Sequence, residues 1–282
     1  MNMIVNSLSV DVEEYFQVSA FENYIERTSW SSLPRRLDRN IDKILALFSE
    51  RDVKGTFFIL GWIAERYAGS IKRIAEAGHE IASHGYSHIR VFNQSPEEFR
   101  EDIIRTKRIL EDLCGISVSG YRAASYSIDR EHHWAHDELE QAGYRYSSSI
   151  YPIRHDLYGV PDGARFAYRT NPGKLLEIPV STCMLLGKRL PCGGGGYFRL
   201  YPYAFSRFLI RRLNVVENQP CVFYFHPWEL DADQPRQAAL DIRTRTRHYL
   251  NLARMETRLS SLLTDFRWDR MDRVFLAQMA GE

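Results

Sequence analysis

The sequence predicts an α/β fold, a parallel sheet or a closed (β/α) barrel, on two observations. About seven short β-type runs alternate with stretches whose apolar residues recur at helical spacing. Residues 150–173 and 183–202 lack periodicity and are rich in Gly, Pro and aromatics, as expected of long loops over one face of such a fold. In chain order, Met3 to Val12 reads as a strand that runs into acidic residues. Leu37, Ile41, Ile44, Leu45 and Phe48 share one helix face, and Gly55 to Leu60 (GTFFIL) is a buried strand. A helix is expected from Ile63 to Ala77 and a short strand from His79 to Ser83. Ser95-Pro96-Glu97-Glu98 is a helix start: Ser95 caps, Pro96 sits where no N–H is needed, and Glu98 completes a capping box. Phe99, Ile103, Leu110 and Leu113 mark the buried face of that helix, and Gly115 its stop. Strands near Ser117–Ala124, Tyr144–Ser149, Leu175–Ser181 and Cys221–Phe225 alternate with helices near Glu131–Gly143 and Tyr203–Leu213. Leu240–Leu263 is helical and Arg-rich. With no repeat and no linker, residues 1–282 are expected to form one domain.

Composition narrows the function classes. The 37 basic and 36 acidic side chains leave a net charge of +1, which argues against a nucleic-acid binder that works by neutralising phosphates. The N-terminus has neither the basic region nor the apolar stretch of a secretory signal, and no run approaches the ~20 apolar residues that span a bilayer. Four scattered cysteines without a C-x-x-C pair read as reduced thiols. Together these features predict a cytoplasmic protein.

Three polar clusters sit at the ends of predicted strands. In Ser9-Val10-Asp11-Val12-Glu13-Glu14, Asp11 and Glu13 project to the same side of an extended segment, so one carboxylate can bind a cation while the other moves protons. In Ser83-His84-Gly85-Tyr86-Ser87-His88, two histidines four apart would share one face of a helical turn, a spacing suited to one Zn²⁺. Two imidazoles and one carboxylate leave a coordination position open for water, as a catalytic zinc requires. The third cluster, Phe223 to Glu229, places His226 at the end of a strong strand, where an imidazole suits a general acid.

In this order the segments DVEEYFQVSAF (11–21), GTFFILGWIAER (55–66), GHEIASHGYSH (78–88), GYRAASYSI (120–128), GGGGYFRLYPY (193–203) and YFHPWELD (224–231) resemble the polysaccharide deacetylase family. This is the group with the NodB-homology domain, carbohydrate esterase family four, and the likeness is to its exopolysaccharide- and exosortase-locus members. The resemblance implies a distorted (β/α) barrel of about seven strands and a metal-dependent hydrolase, with Zn²⁺ or another divalent ion as cofactor. By the same resemblance Asp11 is the catalytic base, Arg122 orients it, and His84 and His88 are metal ligands. Glu13 is the metal carboxylate, with Glu14 as the alternative. Tyr126 lends a backbone N–H to the oxyanion, and His226 is the general acid. Two positions depart from the family pattern. Ala124 replaces a Pro, and Ser147 stands where an Asp often holds the acid histidine charged; Asp129 or Asp156 are candidate substitutes.

The expected reaction is removal of N-acetyl groups from amino-sugar residues of a glycan or its lipid-linked precursor, at the membrane surface, by a chain that self-associates. Tyr151, Tyr158, Phe166, Tyr168, Tyr197, Phe198 and Trp228 are candidate sugar-stacking aromatics, although loop packing accounts for many such residues. Two other readings keep the fold: hydrolysis of a cyclic imide or ureide, and a glycan binder that has lost its proton-transfer groups.

Overall fold

A computed structural model describes residues 4–155, 159–170 and 173–277. Among the described residues there are eleven strands and nine α-helices. They are β1 (Val5–Val12), α1 (Leu37–Glu50), β2 (Thr56–Ile59), α2 (Gly61–Arg66), α3 (Ala68–Glu76), β3 (Glu80–Ser83), α4 (Pro96–Cys114), β4 (Gly120–Tyr121), α5 (Trp134–Gln141) and β5 (Tyr146–Ser147). Then come β6 (Tyr168–Arg169), β7 (Leu176–Glu177), β8 (Thr182–Leu185), β9 (Lys188–Pro191), α6 (Gly195–Leu200), α7 (Tyr203–Val215), β10 (Val222–Phe225), α8 (Ile242–Tyr249), α9 (Leu252–Asp265) and β11 (Arg267–Asp269).

The main sheet runs β10-β1-β2-β3-β4-β5-β7-β6, with β11 paired to β1. The seven staves from β10 to β7 are all parallel, and only β6 is antiparallel to its neighbour. The curled sheet bears out the distorted barrel. Residues 181–194 span the gap between β7 and β10: Ser181 N donates to Val222 O, Val222 N donates to Ser181 Oγ, and Tyr224 N donates to Gly193 O at 2.8 Å.

Alternation along the staves separates two environments. Leu8, Val10 and Val12 of β1, Phe57 and Ile59 of β2, and Phe223 and Phe225 of β10 join the large core. The alternate residues Phe58, Ala82, Tyr146, Leu176 and Val222 form a second cluster, which Met271, Val274 and Phe275 of the C-terminal segment also join. That segment is held by Glu80, a buried carboxylate that accepts from the hydroxyls of Thr56 and Tyr146 and from Asp272 N. Burial, with the Asp272 charge beside it, pushes the Glu80 carboxyl up to about 7.

Local signals explain some boundaries. The Ser95 capping box forms as expected, and Gly115 closes α4 at φ +66°. Several spans differ from expectation. The helix expected over 63–77 is two, broken at Tyr67, and the C-terminal one is broken at Asn251, where φ is +54°. Strands β4, β5 and β7 are two residues each, because irregular backbone takes over where the site begins. Residues 183–202 are no loop: they hold the β8–β9 hairpin and α6. Met3, Asp156 and Tyr158 lie outside the described residues. Among the described residues the four cysteines are free, and no helix is long and apolar enough to cross a membrane.

Candidate functional site

Asp11 faces the barrel interior from β1. Its Oδ1 accepts from Arg122 Nη1 at 2.6 Å, and the Tyr126 hydroxyl lies 3.4 Å from Oδ2. Arg122 is fully buried, which would be costly for an unpaired guanidinium. Its remaining donors reach Ser9 Oγ, Ser148 O and Ser148 Oγ at 2.8, 3.1 and 3.0 Å, and Phe58 packs against its plane at 4.0 Å. Burial opposes the Arg122 charge, but the Asp11 carboxylate outweighs it and raises its pKa.

Glu13 stands one residue past β1. Nε2 of His84 and Nε2 of His88 each lie 3.0 Å from Glu13 Oε1. The three groups are buried, and one ligand atom from each lies within 4.8 Å of the others. His84 Nδ1 donates to Arg122 O at 2.8 Å, which places its proton on Nδ1 because a carbonyl only accepts. Where Nε2 carries no proton, its lone pair faces a carboxylate oxygen, a repulsive pairing unless a cation lies between them. A divalent metal fits this donor set, and the carbonyl that fixes the His84 tautomer is the usual outer support for such a ligand. Burial opposes the Glu13 charge, yet the neighbouring His88 and His226 outweigh it and hold its carboxyl well below the ordinary range.

The two histidines converge without the expected helical turn. The backbone is irregular from His84 to Arg90 and reverses at Gly85, φ +75°, and His88, φ +52°. Glu14, the alternative ligand, points elsewhere. Its Oε1 accepts from Arg36 N, Leu37 N and the Tyr67 hydroxyl, so it closes the N-terminus of α1. Tyr126 is also placed differently from expectation, because its backbone N–H donates to Ala123 O at 3.0 Å. What it presents to the site is its hydroxyl. Ser125 and Tyr126 both hold positive φ, +53° and +51°, in this short turn.

His226 follows β10 with 19% of its side chain exposed, and its Nε2 lies 4.0 Å from Glu13 Oε1. Nδ1 donates at 2.9 Å to Glu229 Oε1, which also accepts from His226 N at 3.0 Å. Glu229 Oε2 pairs with Arg199 Nε at 2.7 Å, and Arg199 Nη1 is anchored on the carbonyls of His248 and Leu250 at 2.9 and 2.8 Å. Burial disfavours a charged His226, but Glu13, Glu229 and Asp11 outweigh it and raise its pKa to about 9. Burial likewise opposes the Glu229 charge, and Arg199 with His226 brings it down to about 2.

Glu229 is therefore the carboxylate that the sequence reading missed. Asp129 pairs with His132 instead, and Ser147 Oγ donates to Ser149 Oγ. The signal was present: His226-Pro227-Trp228-Glu229 repeats the logic of the Ser95 start, with Pro at the first position and Glu at the third of a short turn. The glycine run has the same cause. A Cβ on Gly193 would stand 2.2 Å from Val222 O, and one on Gly195 would stand 2.3 Å from Glu229 Oε1. Among the candidate stacking aromatics, Tyr151, Phe198 and Trp228 are buried and Tyr197 is partly exposed.

The polysaccharide deacetylase family model matches residues 32–147, and a second model, described only as a domain of unknown function (DUF3473), matches residues 148–276. A peptidoglycan-N-acetylglucosamine deacetylase from Bacillus cereus is 44% identical over 73 residues, 26% of either chain. A peptidoglycan deacetylase from Helicobacter pylori is 26% identical over 110 residues, 39% of this chain and 36% of that one. A chitooligosaccharide deacetylase from Bradyrhizobium is 25% identical over 96 residues, 34% of this chain and 42% of that one. The match thus spans less than half the length of each of these relatives. In fold, a Mycobacterium smegmatis protein classed as a polysaccharide deacetylase superposes with a TM-score of 0.59 at 20% identity, covering 100% of this chain and 93% of that one. A carbohydrate esterase family four pseudoenzyme from Bacillus anthracis does so at 0.51 and 14%, covering 97% and 66%. Residues 32–147 match the polysaccharide deacetylase family model, and the fold of such a protein is shared along the whole chain.

Proposed function

We propose that this protein is a metal-dependent deacetylase that removes N-acetyl groups from amino-sugar residues of a glycan. The observation that carries the reading is the convergence of Glu13, His84 and His88 beside an arginine-held Asp11 and a glutamate-held His226. Residues 148–276 belong to the same catalytic domain in this reading, since they supply His226, Glu229 and Arg199. The natural glycan is an exopolysaccharide or its precursor on the strength of the motif resemblance, and the names of the matched relatives support the broader class.

Glu13, His84 and His88 would hold zinc, which when bound polarises the acetamide carbonyl and acidifies a water. Asp11 takes the proton of the attacking water, and Arg122 holds that carboxylate on the substrate side. Tyr126 offers its hydroxyl beside Asp11; its N–H reaches an oxyanion once its bond to Ala123 O gives way. Glu229 keeps the His226 proton on Nδ1, so that Nε2 of the charged ring faces the site and protonates the departing sugar amine. Glu229 supplies the support absent at Ser147, which weighs against a degenerate binder.

The direct test is acetate release from N-acetylglucosamine oligomers by zinc-loaded protein, with a chelated sample alongside. Release that stops on chelation is expected, and no release from any oligomer overturns the reading. His84→Ala should lose both bound metal and turnover; a variant that keeps its metal content refutes the ligand set.

Glu229→Gln tests the acid. His226 acts in its protonated form, so the rate falls as pH rises through its pKa. Removing the neighbouring negative charge lowers that pKa, and the alkaline limb of kcat should move to lower pH by about one unit or more. An unmoved limb assigns the proton transfer to another group.

A further inference from the structure

We infer that Glu177 is a positioning residue for the reaction. From β7 it holds the backbone of residues 148–150 against Arg122, and through Arg122 it fixes the attitude of the base Asp11. The inference rests on the deacetylase reading and adds a group that neither the sequence motifs nor the metal cluster includes. Glu177 lies in the stretch matched by the DUF3473 model, so that stretch supports the base as well as supplying the acid.

The need arises where β5 ends. That strand is two residues long, and beyond Ser147 the chain leaves the ladder. Ser148 N still donates to Tyr121 O at 2.9 Å. The next two N–H groups are taken by a side chain: Glu177 Oε1 accepts from Ser149 N at 2.8 Å and from Ile150 N at 3.0 Å. Glu177 and residues 148–150 are buried, so a lost acceptor would leave two amides stranded away from water. His136 of α5 donates from Nε2 to Glu177 Oε2 at 3.1 Å, since a carboxylate only accepts. Burial opposes the Glu177 charge, and His136 beside it outweighs that cost and lowers its pKa. A buried carboxylate is a costly substitute for strand carbonyls, and what it secures is the place of this segment.

The segment in turn holds Arg122. Ser148 O accepts from Arg122 Nε at 3.1 Å and Ser148 Oγ from Nη2 at 3.0 Å, while Nη1 donates to Asp11. Ser149 Oγ accepts from the N–H of Ala123, the next residue along, at 2.9 Å. A guanidinium is a rigid plane, so fixing Nε and Nη2 on one edge aims Nη1 on the other. The Arg122 backbone is tied separately, its N–H donating to Ser83 O at 2.9 Å. The clamp therefore acts on the side chain, whereas the metal cluster is built from Glu13, His84 and His88.

The test compares zinc-loaded, full-length variants on N-acetylglucosamine oligomers, with zinc content and melting temperature read on each sample. Glu177→Asp keeps the charge and withdraws the oxygens by about 1.5 Å, one carbon–carbon bond. Glu177→Gln keeps the reach and an oxygen acceptor and gives up the charge. Glu177→Asp should lower kcat by roughly 10-fold or more at unchanged KM and zinc content, and Glu177→Gln should stay within about threefold of the wild type. Ser148→Ala deletes one hydroxyl and should lose kcat in the same way; it decides alone if Glu177→Asp does not fold. In an Arg122→Lys background, where the fork that reaches Ser148 is gone, Glu177→Asp should cost less than about twofold more. Wild-type kcat in Glu177→Asp or Ser148→Ala overturns the inference. So does a loss in Glu177→Gln as large as that in Glu177→Asp, and so do losses that multiply in the Arg122→Lys background. No turnover by the wild type overturns the deacetylase reading, and melting then judges the clamp. Losses from Glu177→Asp and Arg122→Lys that fall short of additive support it, and additive losses overturn it.

Discussion

Asp11→Asn is expected to lower kcat for deacetylation about 10³-fold, with metal content and KM nearly unchanged. The argument is one of division of labour. Asp11 spends one oxygen on Arg122 and the other on the side of the Tyr126 hydroxyl, while the metal cluster uses Glu13. Asn keeps an acceptor for Arg122 Nη1, so the geometry survives, but it has no carboxylate to take a proton. Metal analysis and steady-state kinetics on the same sample check this. A variant that loses its metal would show Asp11 to be a ligand, and one that keeps its kcat would remove it from the reaction.

Arg122→Met is the second large effect, and it acts on stability as well as on rate. The side chain is 0% exposed and donates to Asp11, Ser9 and Ser148. Removing it leaves the Asp11 charge buried without its partner, at a cost of about 3–5 kcal/mol. For a chain of this length that lowers Tm by roughly 10 °C. Adding Asp11→Leu should recover much of the loss, because the uncompensated charge goes with it, while activity stays absent. Calorimetry decides the matter. A single variant that melts within about 2 °C of the wild type would show that the pair contributes little to the fold.

Glu229 carries a stability consequence of its own. Its carboxyl is held at about 2 against an ordinary 4.5, so the stability it contributes is present above about 4.5 and is lost as pH falls toward about 2.

The sequence alone determined the alternation of strands and helices, the Ser95 helix start, and the groups that meet at the site. These are local: apolar periodicity and caps act over a few residues, and the site groups cluster at strand ends within short motifs. Glu13, His84, His88, Asp11, Arg122 and His226 do come together as those motifs imply. Glu229 was legible too, in the His-Pro-x-Glu pattern, had the capping rule used at Ser95 been applied there.

Other features depend on contacts that no local pattern encodes. Glu14 and Glu13 are adjacent, and the position of α1 sends one to cap a helix while the other meets His84 and His88. His84 and His88 meet through backbone reversals at Gly85 and His88, where the spacing alone suggested a helix. The β8–β9 hairpin and the glycine run bridge the barrel between β7 and β10, and their composition resembled that of a loop. Arg199 meets Glu229 across 30 residues of sequence, a pairing that no local pattern marks. Which carboxylate receives which cation is decided by strand order and burial, since a charge taken out of water accepts only the partner that the fold brings within hydrogen-bond reach.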